Sequence, residues 1–251
     1  MSFANKIVLI TGASTGIGAT TAISFAKEGA KVVILARNES NLKKTADEIK
    51  KIGTAPLVIK ADITKDEDAK RSIDNTIDKY GKLDVLVNNA GILKLGTLLD
   101  NSIMATYDET MNTNVRAMVN LTSLAAPHLV KTKGNIVNIS SIAGMKPLMA
   151  IVNAYGISKA AVNYFTLGAA LELSPLGVRV NTISPGLVGT DFTAKAGIDI
   201  PLGDYSTKSL LSRYSTCEEI ADLVLYLASD KAKGITGSNY LIDNGLSLSV
   251  D

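Results

Sequence analysis

The stretch NAYGISK, residues 153–159, sets a phenol and an amine four positions apart, at Tyr155 and Lys159. On a helix that spacing puts both side chains on one face. Two readings are open: a solvated surface pair, or a phenol whose acidity the ammonium adjusts. A free phenol has a pKa near 10 and is a poor base at neutral pH. An ammonium about 5 Å away, at an effective dielectric of about 20, supplies roughly 3 kcal/mol, which lowers the phenol by somewhat over two pKa units. A phenol adjusted in this way exchanges a proton in either direction.

Other residues suit a phosphate-bearing ligand. TGASTGIG, residues 11–18, carries Gly12, Gly16 and Gly18 in a G-x3-G-x-G spacing that allows a tight turn and close backbone approach. The helix start that follows can receive a pyrophosphate. Some twenty residues on, LARNES places Arg37 and Asn38 where an acid commonly binds a ribose hydroxyl. A guanidinium there can grip a 2′-phosphate, so NADP(H) is expected in preference to NAD(H); a plain surface arginine is the other reading. Asp62 and Ile63 in KADIT, and Asn89, Ala90 and Gly91 in NNAG, fall after two later strands. Asp62 can accept from an adenine amino group or simply open a helix. NNAG can be a ligand-facing turn or a purely structural one.

Composition removes several chemistries. Cys217 is the only cysteine and His128 the only histidine, so neither an internal disulfide nor a Cys/His zinc site can be built. A serine–histidine–acid triad would have to run through His128, which reads as structural within AAPHLVK. Net charge is +2, with both signs scattered, and this gives no electrostatic case for nucleic acid or an anionic membrane. No apolar run is long enough to span a bilayer, and the N-terminus lacks a signal-peptide pattern, so the expected location is cytoplasmic.

These residues need elements to hold them. Short β-branched runs at 6–11, 31–36, 56–61, 83–89, 134–140, 178–184 and 239–243 alternate with amphipathic stretches near 16–29, 39–52, 65–80, 101–111, 112–132, 154–173 and 217–229. Nearly continuous apolar strands are expected where helices cover both faces of a parallel sheet. The pattern predicts an α/β fold: a Rossmann-like, doubly wound parallel sheet of about seven strands within a single domain, 1–251. Weak periodicity at 185–216 predicts a substrate-binding insertion. In such sheets ligands bind beyond the carboxyl ends of the strands, where each motif above falls.

Taken together, TGASTGIG, Asp62, NNAG, Asn114 in NTNV, the serine pair in NISS, Tyr155 to Lys159, and Pro185-Gly186 with Thr190 resemble the short-chain dehydrogenase/reductase family, in its classical subgroup. The resemblance covers essentially the whole chain. It implies hydride transfer between a nicotinamide and a carbonyl or alcohol carbon, with Tyr155 as general acid or base and Lys159 also bonding the ribose. Ser141 would orient the substrate oxygen, although it lies one residue further from Tyr155 than the commonest family spacing, which leaves Ser140 as a competitor. Asn114 would bond a backbone carbonyl. The turn residues Ser14, Thr15 and Ile17 would join the glycines on the cofactor, and Pro185, Gly186, Val188 and Thr190 would face the nicotinamide. Asp243-Asn244-Gly245 stands where relatives often have Asp-Gly-Gly.

The substrate pocket is expected among Ile92, Leu93, Leu95, Ile142, Met145, Leu148, Met149, Leu187, Phe192 and the segment 191–213. Its apolar character suits a steroid-, isoprenoid- or lipid-like carbonyl or secondary alcohol. A 3-oxoacyl-carrier-protein reductase shares every catalytic motif, and a non-catalytic NADP(H)-binding regulator would need the nucleotide site but not the phenol. Sugar-nucleotide epimerases share the tyrosine–lysine spacing but are usually longer, with another glycine pattern. The resemblance also implies a homotetramer built on the helices near 112–132 and 154–173.

Overall fold

Each expected strand forms, with neither end moved by more than two residues: β1 Ile7–Thr11, β2 Lys31–Ala36, β3 Leu57–Lys60, β4 Val85–Asn88, β5 Asn135–Ile139, β6 Arg179–Pro185 and β7 Asn239–Ile242. The structure, a computed structural model, describes residues 2–197 and 208–249. The strands join in one sheet of order β3-β2-β1-β4-β5-β6-β7, with every pairing parallel. Between them run α1 Gly16–Lys27, α2 Glu39–Ile52, α3 Asp66–Tyr80, α4 Ile103–Met111, α5 Ala117–Thr132, α6 Asn153–Leu173 and α7 Cys217–Ala228.

Side-chain alternation along the strands creates two cores. Val8, Ile10, Val32 and Ile34 point to one face and pack with Phe25, Leu42, Ile49 and Val224 of α1, α2 and α7. Ile7, Leu9, Val33 and Leu35 point to the other and pack with Ile73, Leu121, Leu129 and Leu173 of α3, α5 and α6. The inner strands β1, β4 and β5 are buried at every position, whereas the edge strands β3 and β7 are not. Only two-sided coverage demands a continuous apolar strand, and the edges lack part of it.

Local chemistry sets the helix boundaries. The Asn38 side chain accepts from the Asn41 amide at 2.9 Å and so caps α2. Gly81, with φ 75°, ends α3 in the left-handed region. A reciprocal capping box between Thr216 and Glu219 starts α7. The expected break between helices at 111/112 is instead a π-helical turn, Asn112–Arg116, that runs α4 directly into α5. One extra residue per turn is invisible to a 3.6-residue pattern. The expected insertion at 185–216 includes residues 198–207, which lie outside the described residues, as does that part of the candidate segment 191–213.

Candidate active site

Strand order reverses direction between β1 and β4, which opens a crevice at their carboxyl ends. The glycine turn follows β1 and NNAG follows β4. The two turns are fastened together: Asn89 and Ala90 amides donate to Thr11 Oγ1 at 2.9 and 3.0 Å, and Asn89 Nδ2 donates to the Thr11 carbonyl at 3.0 Å. Gly12 has φ +65°, and a Cβ there would lie 2.8 Å from Asn89 Nδ2. Gly18 is required for packing, since a Cβ would strike the Gly12 carbonyl. In α1 the first turn carries no acid, and Thr15 does not cap it through its side chain. Its amide end is therefore suited to an anion.

The crevice widens into a cleft of about 820 Å³. Gly12, Ser14, Thr15, Gly16, Ile17, Arg37, Asn38, Asp62, Ile63, Asn89, Ala90 and Gly91 border it on one side. Ser141, Ile142, Tyr155, Lys159, Pro185, Gly186, Leu187, Val188, Thr190 and Phe192 border it on the other. Four expected site residues do not. Leu95 packs instead against the small apolar cluster of Ala143, Val152 and Tyr155. Gly18 lies behind the turn. Met145 is 54% exposed, and its Sδ accepts from Asn239 Nδ2 at 3.7 Å, which turns it away from the cleft. Asn114 is buried behind the cleft wall.

Asn114 links two segments behind the cleft wall. It sits in the π turn, and its amide closes a two-way bond with Ile92: Oδ1 accepts from the Ile92 amide at 2.8 Å and Nδ2 donates to the Ile92 carbonyl at 2.9 Å. Nδ2 also donates to Ser158 Oγ at 3.0 Å, and Ser158 Oγ donates to the Tyr155 carbonyl at 2.7 Å. The NNAG segment is thereby tied to the first turns of α6.

That helix brings Tyr155 and Lys159 onto one buried face. Lys159 Nζ donates to the Ile139 carbonyl at 2.9 Å and stands 5.6 Å from the centre of the Tyr155 ring. Phe192 packs on the same ring, with centroids 5.9 Å apart. The two serines divide their work. Ser140 Oγ donates to the Lys159 carbonyl at 3.0 Å and so faces the helix backbone. Ser141 faces the Tyr155 hydroxyl, whose pKa it lowers, and its Oγ accepts from the Ala143 amide at 3.1 Å. Gly144 lets this loop lie directly on α6, because a Cβ would collide with the backbone of Lys159 and Ala160.

Burial dominates the electrostatics. It pushes the Tyr155 hydroxyl up to about 12, opposed by the nearby Ser141 hydroxyl, and brings the Lys159 ammonium down to about 8. The expectation of a phenol lowered by its lysine is thus corrected. At neutral pH the phenol keeps its proton and the lysine most of its charge.

Where Pro185 and Gly186 border the cleft, the Gly186 amide donates to the Ile242 carbonyl at 3.0 Å, and a Cβ on Gly186 would lie 2.7 Å from Asp243 Cβ. Asp243 in turn accepts from the Gly245 and Ser247 amides at 3.0 and 2.7 Å, an architectural role for the Asp-Asn-Gly turn. Sequence reasoning missed Thr11 and Ser158. Thr11 acts on backbone amides some 78 residues on, and Ser158 on the Asn114 side chain 44 residues back, so nothing local signals either. His128 lies on α5 away from the cleft. Among the described residues no three metal-ligating side chains gather, and no helix is long and apolar enough to cross a membrane.

A doubly wound sheet with a glycine turn and a buried tyrosine–lysine pair at its switch point is the architecture of the nucleotide-binding oxidoreductases. A family model described as enoyl-(acyl carrier protein) reductase matches residues 12–247. The chain is 38% identical over 251 residues to dehydrogenase/reductase SDR family member 6 of Xenopus laevis, covering 97% of this chain and 98% of that one. It is 35% identical over 254 residues to the 3-oxoacyl-[acyl-carrier-protein] reductase FabG of Thermotoga maritima, covering 98% and 99%. A crystal structure of a short chain dehydrogenase from Burkholderia cenocepacia in complex with NADP superposes with a TM-score of 0.91 at 31% identity, covering 98% and 99%. The chain belongs to the short-chain dehydrogenase/reductase family, whose members use a nicotinamide cofactor on CH–OH or C=O groups.

Proposed function

We propose that this protein is an NADP(H)-dependent reductase of a hydrophobic ketone, or dehydrogenase of the matching secondary alcohol. The observation that carries the reading is the meeting of Ser141, Tyr155 and Lys159 at one end of a cleft whose other end holds the glycine turn and Arg37. When bound, the nicotinamide supplies or accepts the hydride. Ser141 orients the substrate oxygen, Tyr155 gives it a proton during reduction, and Lys159 stabilises the phenolate left behind. In oxidation the same proton returns to Tyr155. Leu93, Ile142, Met149, Val152, Leu187 and Phe192 line the substrate end and favour an apolar body.

Arg37 is exposed and borders the cleft beside Asn38, which supports its pairing with a 2′-phosphate. Arg37→Glu should weaken NADPH binding about tenfold or more while sparing NADH, read by titration; unchanged affinities for both would refute the preference. Activity is sought with a panel of ketones and alcohols followed by NADPH absorbance. Tyr155→Phe should cut turnover by at least about a hundredfold with NADPH binding intact. Near-normal turnover would overturn the role given to the phenol.

A second reading, reduction of 3-oxoacyl chains on a carrier protein, is favoured by the FabG relative. It predicts that carrier-bound thioesters outcompete free ketones in the same assay. A regulator that binds NADP(H) without turning it over would leave the panel silent. Reduction in an NADPH-rich cytosol is the direction and setting that this proposal assigns.

A further inference from the structure

A second cavity, of about 500 Å³, opens at the other end of the sheet and shares no lining residue with the cleft. It lies where β1, β4, β5 and β6 begin and where α5 and α7 end. Asn135, the first residue of β5, bounds it and is only 6% exposed. Its Nδ2 donates to the Ala228 carbonyl at 2.9 Å, whereas its Oδ1 has no hydrogen-bond partner among the described residues. Buried polar atoms are nearly always paired, so this oxygen calls for a donor.

Four cations and two acids line the cavity, and both acids are already engaged. Asp84 accepts from the Ile7 amide at 2.8 Å and pairs with Lys6 at 3.3 Å and Lys82 at 2.9 Å. Burial lowers the Arg179 pKa, and the nearby Asp230 carboxylate opposes this. Arg179 also donates to the Leu227, Ser229 and Ile235 carbonyls at 2.7, 3.2 and 3.2 Å, which answers the negative end of α7. Lys133 and Lys233 remain: both are exposed, and neither has an ion-pair partner among the described residues. Lys133 ends α5 at φ 49°, where glycine is usual, and its stem lies against Gly177, where a Cβ would come within 3.1 Å of Lys133 Cγ. Two unpaired ammoniums match a phosphate monoester, which carries nearly two charges, better than a single carboxylate. We propose that this cavity binds a small phosphorylated polyol, with Lys133 and Lys233 holding the phosphate and a hydroxyl of the polyol donating to Asn135 Oδ1. The proposal does not depend on the nucleotide reading of the cleft.

The probe is glycerol 3-phosphate, titrated calorimetrically into the full chain. It is compared with methyl phosphate, which keeps the dianion without a hydroxyl, and with glycerol, which keeps the hydroxyls without charge. Wild type should bind glycerol 3-phosphate at one site per chain, about tenfold more tightly than methyl phosphate, and glycerol more weakly than either. Joint substitution Lys133→Asn and Lys233→Gln should cost about tenfold in affinity for glycerol 3-phosphate and flatten its salt dependence. Asparagine tolerates the left-handed backbone at 133, so thermal unfolding should stay unchanged. Binding that survives the double variant overturns the site. Equal affinity for methyl phosphate overturns the part given to Asn135 and with it the polyol. A wild type that binds none of the three overturns the whole proposal and leaves the reading of the cleft untouched.

Discussion

Tyr155 and Lys159 were legible from spacing alone, because a helix converts a separation of four into proximity. The direction of the phenol's shift was not, because the cost of taking a phenolate out of water depends on burial contributed by remote segments. Lys159 gives a test of that burial. Its proton is held less tightly in the folded chain, at about 8, than at the ordinary 10.5. Below pH 8 both folded and unfolded chains carry the proton, and the full cost of the buried charge is felt. Between 8 and 10.5 the unfolded chain holds more protons, so stability rises with pH, and above 10.5 the cost has gone. Relative to Lys159→Met, the wild type should gain about 3 kcal/mol across this window, measured by urea denaturation at both ends. A difference that does not vary with pH would mean that the lysine is not buried as a cation.

Elements were read closely where a cap or a glycine announces the boundary, as at Asn38 and Gly81. They were misread where geometry changes without a change in composition. The π turn at Asn112–Arg116 is such a place, and it is there that Asn114 is aimed at Ile92 rather than along the helix surface. π turns recur at functional positions, because one added residue redirects a side chain without ending the helix. Ser140 and Ser141 could not be separated by spacing either; only the packing of the loop on α6 turns one hydroxyl inward and the other toward Tyr155. At α7 the capping box, with Arg213 also pairing Glu219 at 2.7 Å, predicts that Thr216→Ala destabilises the protein by about 1 kcal/mol without altering cofactor affinity. Thermal unfolding alongside NADPH titration checks both halves.

At the scale of the whole molecule, periodicity and alternation specify the doubly wound sheet, and they leave open how copies associate. The outer face of α6 exposes Tyr164, Leu167 and Leu171 at 78%, 53% and 82%. A contiguous apolar face of this kind is a candidate for self-association. We propose that it serves the homotetramer expected from the family resemblance; light scattering should give four times 26.4 kDa, and Leu171→Glu should shift the protein to smaller species. A monomeric wild type would reject this. The brace under Gly186 has a consequence for biosynthesis. The ribosome makes the glycine turn, NNAG and the tyrosine helix long before Ile242 and Asp243 emerge, so a nascent chain stalled short of them presents most of a pocket with no floor.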